Sequence, residues 1–237
     1  MEILTQTDLE EAALRYGILP FFANNIQGFS VEEMTPPGML FGGNEYEGCW
    51  EWKGPVVRRG TTAYGKFFRR KAGFVSRELL PYFMKMRREG FTLKSGSTDE
   101  MVYDIISING RMTSTDLREA ILGKPKKRRA GDLPELYADH ADFKAASRHS
   151  LEGPLQRLQM ASMLCISDFR YKQTKRGERY GWGVAEYSTP EMHFDDSRLL
   201  AAAAGMNARE CLDHIIEHVS SRYRGATPSQ LRTLLKF

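Results

Sequence analysis

The chain has 237 residues, 41% of them apolar and 27% charged, with 34 Lys and Arg against 30 Asp and Glu. No apolar run approaches the roughly 18 residues that span a bilayer, and the acidic start MEILTQTDLEEAA lacks the basic and apolar regions of a signal peptide. Cys49, Cys165 and Cys211 are odd in number and far apart, which excludes a disulfide framework and points to reduced thiols in a cytoplasmic, globular protein.

Thr7-Asp8-Leu9-Glu10 reads as a capping box opening a helix to about Tyr16, with Gly17 as its stop. A Pro/Gly-rich passage, with Pro36-Pro37-Gly38 and Gly42-Gly43-Asn44, reads as a long surface loop. From Cys49 to Arg70 the pattern becomes strand-like, WEWKGPVV and YGKFF flanking a turn at Arg59-Gly60-Thr61. Ser76 caps a helix to about Arg88, whose inner stripe is Leu79, Leu80, Phe83, Met84 and Met86.

Thr98 starts a helix over Met101, Val102, Ile105 and Ile106 that stops at Asn109-Gly110. After the short step Arg111-Met112-Thr113, Ser114 caps a second helix through Leu122 and Gly123. Beyond the basic loop KPKKRR, Ser150 opens a third helix through Leu164. The β-rich runs CISDFRYKQ and RYGWGVAEYS then flank Thr174-Lys175-Arg176-Gly177, with Gly181-Trp182-Gly183 marking a bulge or close backbone packing. Three helices, a short strand after the first, and a basic-tipped hairpin is the order of a winged helix-turn-helix. The stretch Lys124 to His149 makes it longer than a minimal version. Thr189-Pro190-Glu191, Asn207-Ala208-Arg209-Glu210 and Thr227-Pro228-Ser229-Gln230 are three successive helix starts. The expected fold class is α+β: an N-terminal module of helix and basic hairpin (1–95), a winged helix-turn-helix (96–188) and a C-terminal helical extension (189–237).

Charge is unevenly placed. Residues 1–52 carry nine acids against one base, residues 53–94 twelve bases against two acids, and residues 111–180 fifteen bases against nine acids. Clustered Lys and Arg concentrate polyanions, so the expected partner is double-stranded DNA, intact or damaged, and not a membrane; a merely solvated face is the bland alternative. In a winged helix the third helix enters the major groove, making Gln156, Arg157 and Gln159 candidates for base edges. Lys172, Lys175, Arg176 and Arg179 on the wing would hold phosphates, joined by Lys126, Lys127, Arg128 and Arg129 of the basic loop. Arg58, Arg59, Arg69, Arg70 and Lys71 are expected at the ends of the first hairpin, near Trp50, Trp52, Tyr64, Phe67 and Phe68. That mixture suits phosphate contact and base stacking, although alternating aromatics also suit a half-buried strand. These clusters are expected to converge into one continuous track. A winged helix can equally be a protein-docking module, and that reading stays open.

No cofactor or metal is expected. His214-Ile215-Ile216-Glu217-His218 matches the spacing of inverted zinc peptidases, but no acid follows Glu217 to complete a ligand set. The stripe Leu212, Ile216, Val219 and Tyr223 is expected to be the buried one, turning both histidines to solvent. No Ser/His/Asp order, P-loop or dinucleotide fingerprint is present.

The first helix ending in YGIL, followed by WEWKGP, YGKFF, KAGFVS and YGWGVA, resembles the AlkZ/YcaQ-type proteins, and more closely their shorter AlkZ-related group. The resemblance implies tandem winged helices and, for the family, DNA glycosylases that remove alkylated purines and unhook interstrand crosslinks. It also implies a Gln-apolar-Gln or Gln-apolar-Asp motif after the first helix, whose polar groups position water against the sugar carbon. In YGILPFFANN those two places fall on Pro20 and Phe22, neither of which can activate water. The expectation is therefore a DNA-binding member without the family's catalytic motif. The alternative is an active glycosylase with a rearranged site, drawing on Glu51 or Gln27.

Overall fold

A computed structural model describes residues 1–42, 47–122, 151–174, 176–177 and 179–236. The first helix, α1 (Gln6–Tyr16), does open with a capping box, but one formed by Thr5 and Asp8. The Thr5 hydroxyl accepts from the Asp8 backbone N–H, and the Asp8 carboxylate accepts from the Thr5 N–H at 2.8 Å. Gly17, at φ 76°, ends the helix and turns the chain directly into β1 (Ile18–Pro20). A single turn, α2 (Val31–Met34), follows.

The segment WEWKGPVV is a helix, not a strand: α3 runs Cys49–Arg58. Its aromatic and β-branched residues raise strand propensity, but the residues it buries are Cys49, Lys53, Gly54, Val56 and Val57, which is helical spacing. That face packs against α1 and the sheet, and tertiary burial overrides local preference. The first hairpin is instead β2 (Thr62–Phe68) and β3 (Lys71–Ser76), closed by a two-residue turn at Arg69-Arg70 with Phe68 opposite Lys71. The Ser76 hydroxyl accepts from the Leu79 N–H at the entrance to α4 (Leu80–Arg88).

The next elements follow the expected order: α5 (Thr98–Asn109), β4 (Met112–Thr113), α6 (Ser114–Leu122) and α7 (Glu152–Met160). The third helix ends sooner than its apolar pattern suggests, because Ser162 sits at φ 56° and breaks the turn before Leu164. The two β-rich runs form β5 (Cys165–Gln173) and β6 (Arg179–Ser188), and β4 adds to β6 through Met112 opposite Tyr187. Among the described residues, these three helices and the antiparallel strands β4, β5 and β6 follow in an order consistent with an α+β, winged-helix-type fold. The C-terminal signatures become α8 (Pro190–His193), α9 (Ala208–Arg222) and α10 (Pro228–Leu234), each with the expected Thr189, Asn207 or Thr227 cap.

All six strands join one antiparallel sheet of order β1-β3-β2-β5-β6-β4. The link between its halves is Tyr64 of β2 opposite Ile166 of β5. The main core, rich in phenylalanine (Phe21, Phe67, Phe74, Phe83), lies around β1–β3, α1, α3, α4 and α9. A second core of Val102, Ile106, Leu117 and Leu158 lies among α5, α6 and α7. Among the described residues no helix is long and apolar enough to cross a membrane.

Candidate nucleic-acid interface

The antiparallel pairing of β1 with β3 brings the segment after α1 alongside the first hairpin. A Cβ at Gly73 would sit 2.6 Å from the Leu19 carbonyl oxygen and the Phe68 ring, so only glycine allows this approach. Where the two segments meet there is a cavity of about 440 Å³, within the usual range for ligand sites. Pro20, Phe22, Asn24 and Asn25 line one side and Arg69 and Lys71 the other.

Pro20 and Phe22, the two places that the resemblance assigns to catalytic polar groups, thus face a real cavity but supply no hydrogen-bonding side chain to it. The neighbouring amides hold the loop together. Asn24 donates to the Phe29 carbonyl at 2.8 Å and accepts from the Ile26 N–H at 2.9 Å. Asn25 donates to the Gln230 carbonyl at 2.9 Å, and Lys71 to the Ala23 carbonyl at 2.8 Å. Glu51 and Gln27 do not line the cavity. Glu51, on α3, accepts a hydrogen bond from the Tyr171 hydroxyl at 2.9 Å.

In the hairpin turn, Arg69, which lines the cavity, and its neighbour Arg70 occupy the left-handed region at φ 48° and 69°. Positive φ at both central residues is the geometry of a type I′ hairpin turn, which favours Asn-Gly and strains two arginines. Both side chains are exposed, and among the described residues neither forms an ion pair.

Other expected cations are engaged within the protein. Arg58 and Arg59 lie at the end of α3, away from the hairpin turn. Arg58 pairs with Asp168 at 2.6 Å, and Arg59 pairs with Glu10, which also accepts from the Thr61 hydroxyl. Arg77 and Arg88 pair with Asp196 and Glu191. Much of the excess charge of residues 53–94 is thus compensated by acids from elsewhere in the chain.

The expected reading helix is also altered. Gln159 is 1% exposed, its amide donating to the Leu155 carbonyl at 2.8 Å and accepting from the Lys66 N–H at 3.0 Å. It ties α7 to β2 and presents no edge to a groove, which corrects its placement among the base-reading residues. Arg157 makes two bonds to Asp99, at 2.6 and 2.8 Å, and these hold its guanidinium pKa above the ordinary value. Gln156 is half-buried on the same helix.

On the wing, Lys172, Arg176 and Arg179 are exposed, and the Arg179 guanidinium lies 5.1 Å from the centre of the Tyr171 ring. Lys126, Lys127, Arg128, Arg129 and Lys175 lie outside the described residues. Because β2 and β5 are antiparallel neighbours, the β2–β3 turn and the wing turn leave opposite ends of the sheet. Register shifts between Ile166 and Asp168 and between Arg170 and Lys172 then bend the wing.

Aromatic contacts connect the two regions. Trp182 of β6 packs edge-on against Trp50 of α3 at a centroid distance of 5.7 Å, and Trp50 lies 5.5 Å from Phe41 and 6.4 Å from cavity-lining Phe22. A Cβ at Gly183 would come within 2.9 Å of the Tyr171 ring, the close packing expected of the Gly-Trp-Gly run. Lys53, unremarkable in sequence, is 2% exposed with its ammonium 3.7 Å from the Trp50 ring centre. Burial pushes its pKa down to about 8, with Glu51 opposing. Tyr64, Phe67 and Phe68, by contrast, are buried in the core, and Trp52 packs half-buried against it.

The histidine pair departs from expectation. α9 buries Cys211, Ile215, Ile216, His218 and Val219, so its inner face is rotated and His218 points inward. Burial lowers the His218 pKa, with Arg222 adding to the shift. His214 instead stacks on Tyr82 at 4.2 Å between ring centres.

No curated protein matches the chain by sequence. Among solved structures, the Streptomyces sahachiroi DNA glycosylase AlkZ is similar at a TM-score of 0.47 and 12% identity, with 99% of this chain and 65% of that one covered. The chain therefore spans somewhat under two thirds of the length of that protein. The family model described as "AlkZ related" matches residues 3–236, nearly the whole sequence that carries the cavity, the hairpin turn and the wing, and the chain belongs to that AlkZ-related family.

Proposed function

We propose that this protein binds double-stranded DNA, including damaged duplex, without hydrolysing the N-glycosidic bond. The observation that carries the reading is the cavity itself: Pro20 and Phe22 line it where catalytic polar groups are expected, while Arg69 and Lys71 line it from the hairpin turn, whose other residue, Arg70, is exposed. Cations beside a cavity suit a phosphate backbone passing over it. The exposed Lys172, Arg176 and Arg179 of the wing supply a second set of phosphate contacts. Family membership supports DNA as the partner, and a cavity lined, among the described residues, by Asn24, Asn25, Arg69 and Lys71 but by no carboxylate favours binding over water activation.

A salt-titrated anisotropy assay on a short duplex tests the binding. With about six phosphates engaged, log K should fall with log salt at a slope near −5, or roughly 10³-fold between about 50 and 200 mM. Absence of binding at the lower salt would overturn the proposal. Alkylated and crosslinked duplexes should be bound but yield no abasic sites; accumulation of abasic product would establish instead an enzyme using a rearranged site.

A further inference from the structure

Phe41 and Trp182 are 53% and 64% exposed, an unusual state for large aromatic rings. Isolated exposed apolar residues need no explanation, but these two come from distant parts of the chain and meet on the same half-buried ring, Trp50. They are also the two exposed aromatics among the large apolar side chains that the described residues leave in solvent. Trp182 has no core to fill. It stands on a bent wing beside Gly181, whose φ is 71°, and its indole is braced edge-on by Trp50, leaving most of its surface open.

We infer that Phe41, Trp50 and Trp182 form a stacking platform for unpaired nucleobases, and that the protein prefers DNA containing unstacked bases to intact duplex. The inference rests on the DNA-binding reading and adds to it the structural class of DNA recognised. Every nucleobase has a π face, so exposed rings beside cations make a sequence-tolerant site for single-stranded segments. The surrounding charge suits this ligand. Lys172 and Arg179 are exposed on the same hairpin as Trp182, while Lys53 lies against Trp50 within the protein. Glu51, the acid on the same helix as Trp50, is held by the Tyr171 hydroxyl. The platform also continues inward: Phe22 lies 6.4 Å from Trp50 and lines the 440 Å³ cavity, so a base displaced from the stack has an aromatic path to that cavity.

The test compares three DNAs of one sequence, about 20 nucleotides long: perfect duplex, duplex with a central mismatched bubble, and single strand. Wild type should bind bubble and single strand several-fold tighter than duplex. Trp182→Ala should weaken binding to these two roughly tenfold, the size expected for losing one stacked base, while changing duplex affinity less than twofold. Trp182→Phe should retain most of the preference, and Phe41→Ala should lose part of it. Thermal melts of each variant confirm that the fold is kept, as expected for exposed side chains. Duplex binding with no preference for unpaired bases, or an equal loss on all three DNAs, would overturn the platform alone. Failure to bind any of them would overturn the DNA-binding reading with it. A concentration-dependent dimer abolished by Trp182→Ala would assign the patch to a second copy of the chain and refute the inference.

Discussion

Replacing Arg69-Arg70 by Asn-Gly separates what the hairpin turn costs from what its charge does. Arg69 and Arg70 sit at φ 48° and 69°, where an L-residue with a Cβ is disfavoured by about 1 kcal/mol each. Asn tolerates this region and Gly adopts it freely, so the native turn should gain about 2 kcal/mol. The extra freedom of glycine in the unfolded chain returns about 0.5–1 kcal/mol, leaving a net gain near 1 kcal/mol. For a chain of this size that is a rise in Tm of about 2–4 °C, measurable by circular dichroism. In the same variant the slope of log K against log salt should become shallower by about 1.8, since two phosphate contacts are lost. A stabilised protein that binds DNA less tightly is the expected result. A fall in Tm would refute the strain argument, and an unchanged salt slope would show that the arginines do not reach phosphates.

Gln159→Leu should destabilise the fold by about 1–3 kcal/mol in urea unfolding, because the Lys66 N–H loses its buried acceptor. DNA affinity of the folded variant should stay within twofold of wild type; a larger loss would restore Gln159 as a contact residue. Burial, aided by Arg111, pushes the His193 pKa down to about 4, so between pH 6.5 and 4 the unfolded chain binds a proton that the native state does not. The resulting stability is fully present above pH 6.5 and declines by up to about 3 kcal/mol as the pH falls toward 4. His193→Gln should flatten that dependence of the urea midpoint, and superimposable pH curves for the two proteins would rule this explanation out.

Local chemistry was enough to read most helix starts. Thr189, Asn207 and Thr227 cap their helices through bonds spanning two or three residues, and such short-range signals survive in any tertiary setting. The wing was equally legible, because its two β-rich runs flank a basic turn and the short Met112-Thr113 strand follows a helix ending in Gly110. The motif places Pro20 and Phe22 followed from the family resemblance, whereas the cavity they line did not.

Long-range pairing decided the rest. Aromatic and β-branched residues in WEWKGPVV carry both a strand signal and a helical face, and only packing against α1 and β5 selects the helix. Gln159 looked like an exposed reader until Lys66, ninety-three residues away, claimed its amide. Arg59 looked like a free cation until Glu10 reached it, for charge counts along a chain say nothing about which opposite charges fold beside one another. The antiparallel join of β2 to β5 directs the two basic turns to opposite ends of the sheet, and the bent wing brings Trp182 onto Trp50. Sequence thus determined the family, most of the local elements and the caps of the C-terminal helices. Tertiary structure decided which cations remain free and which aromatics face solvent, since those depend on contacts between residues far apart in the chain.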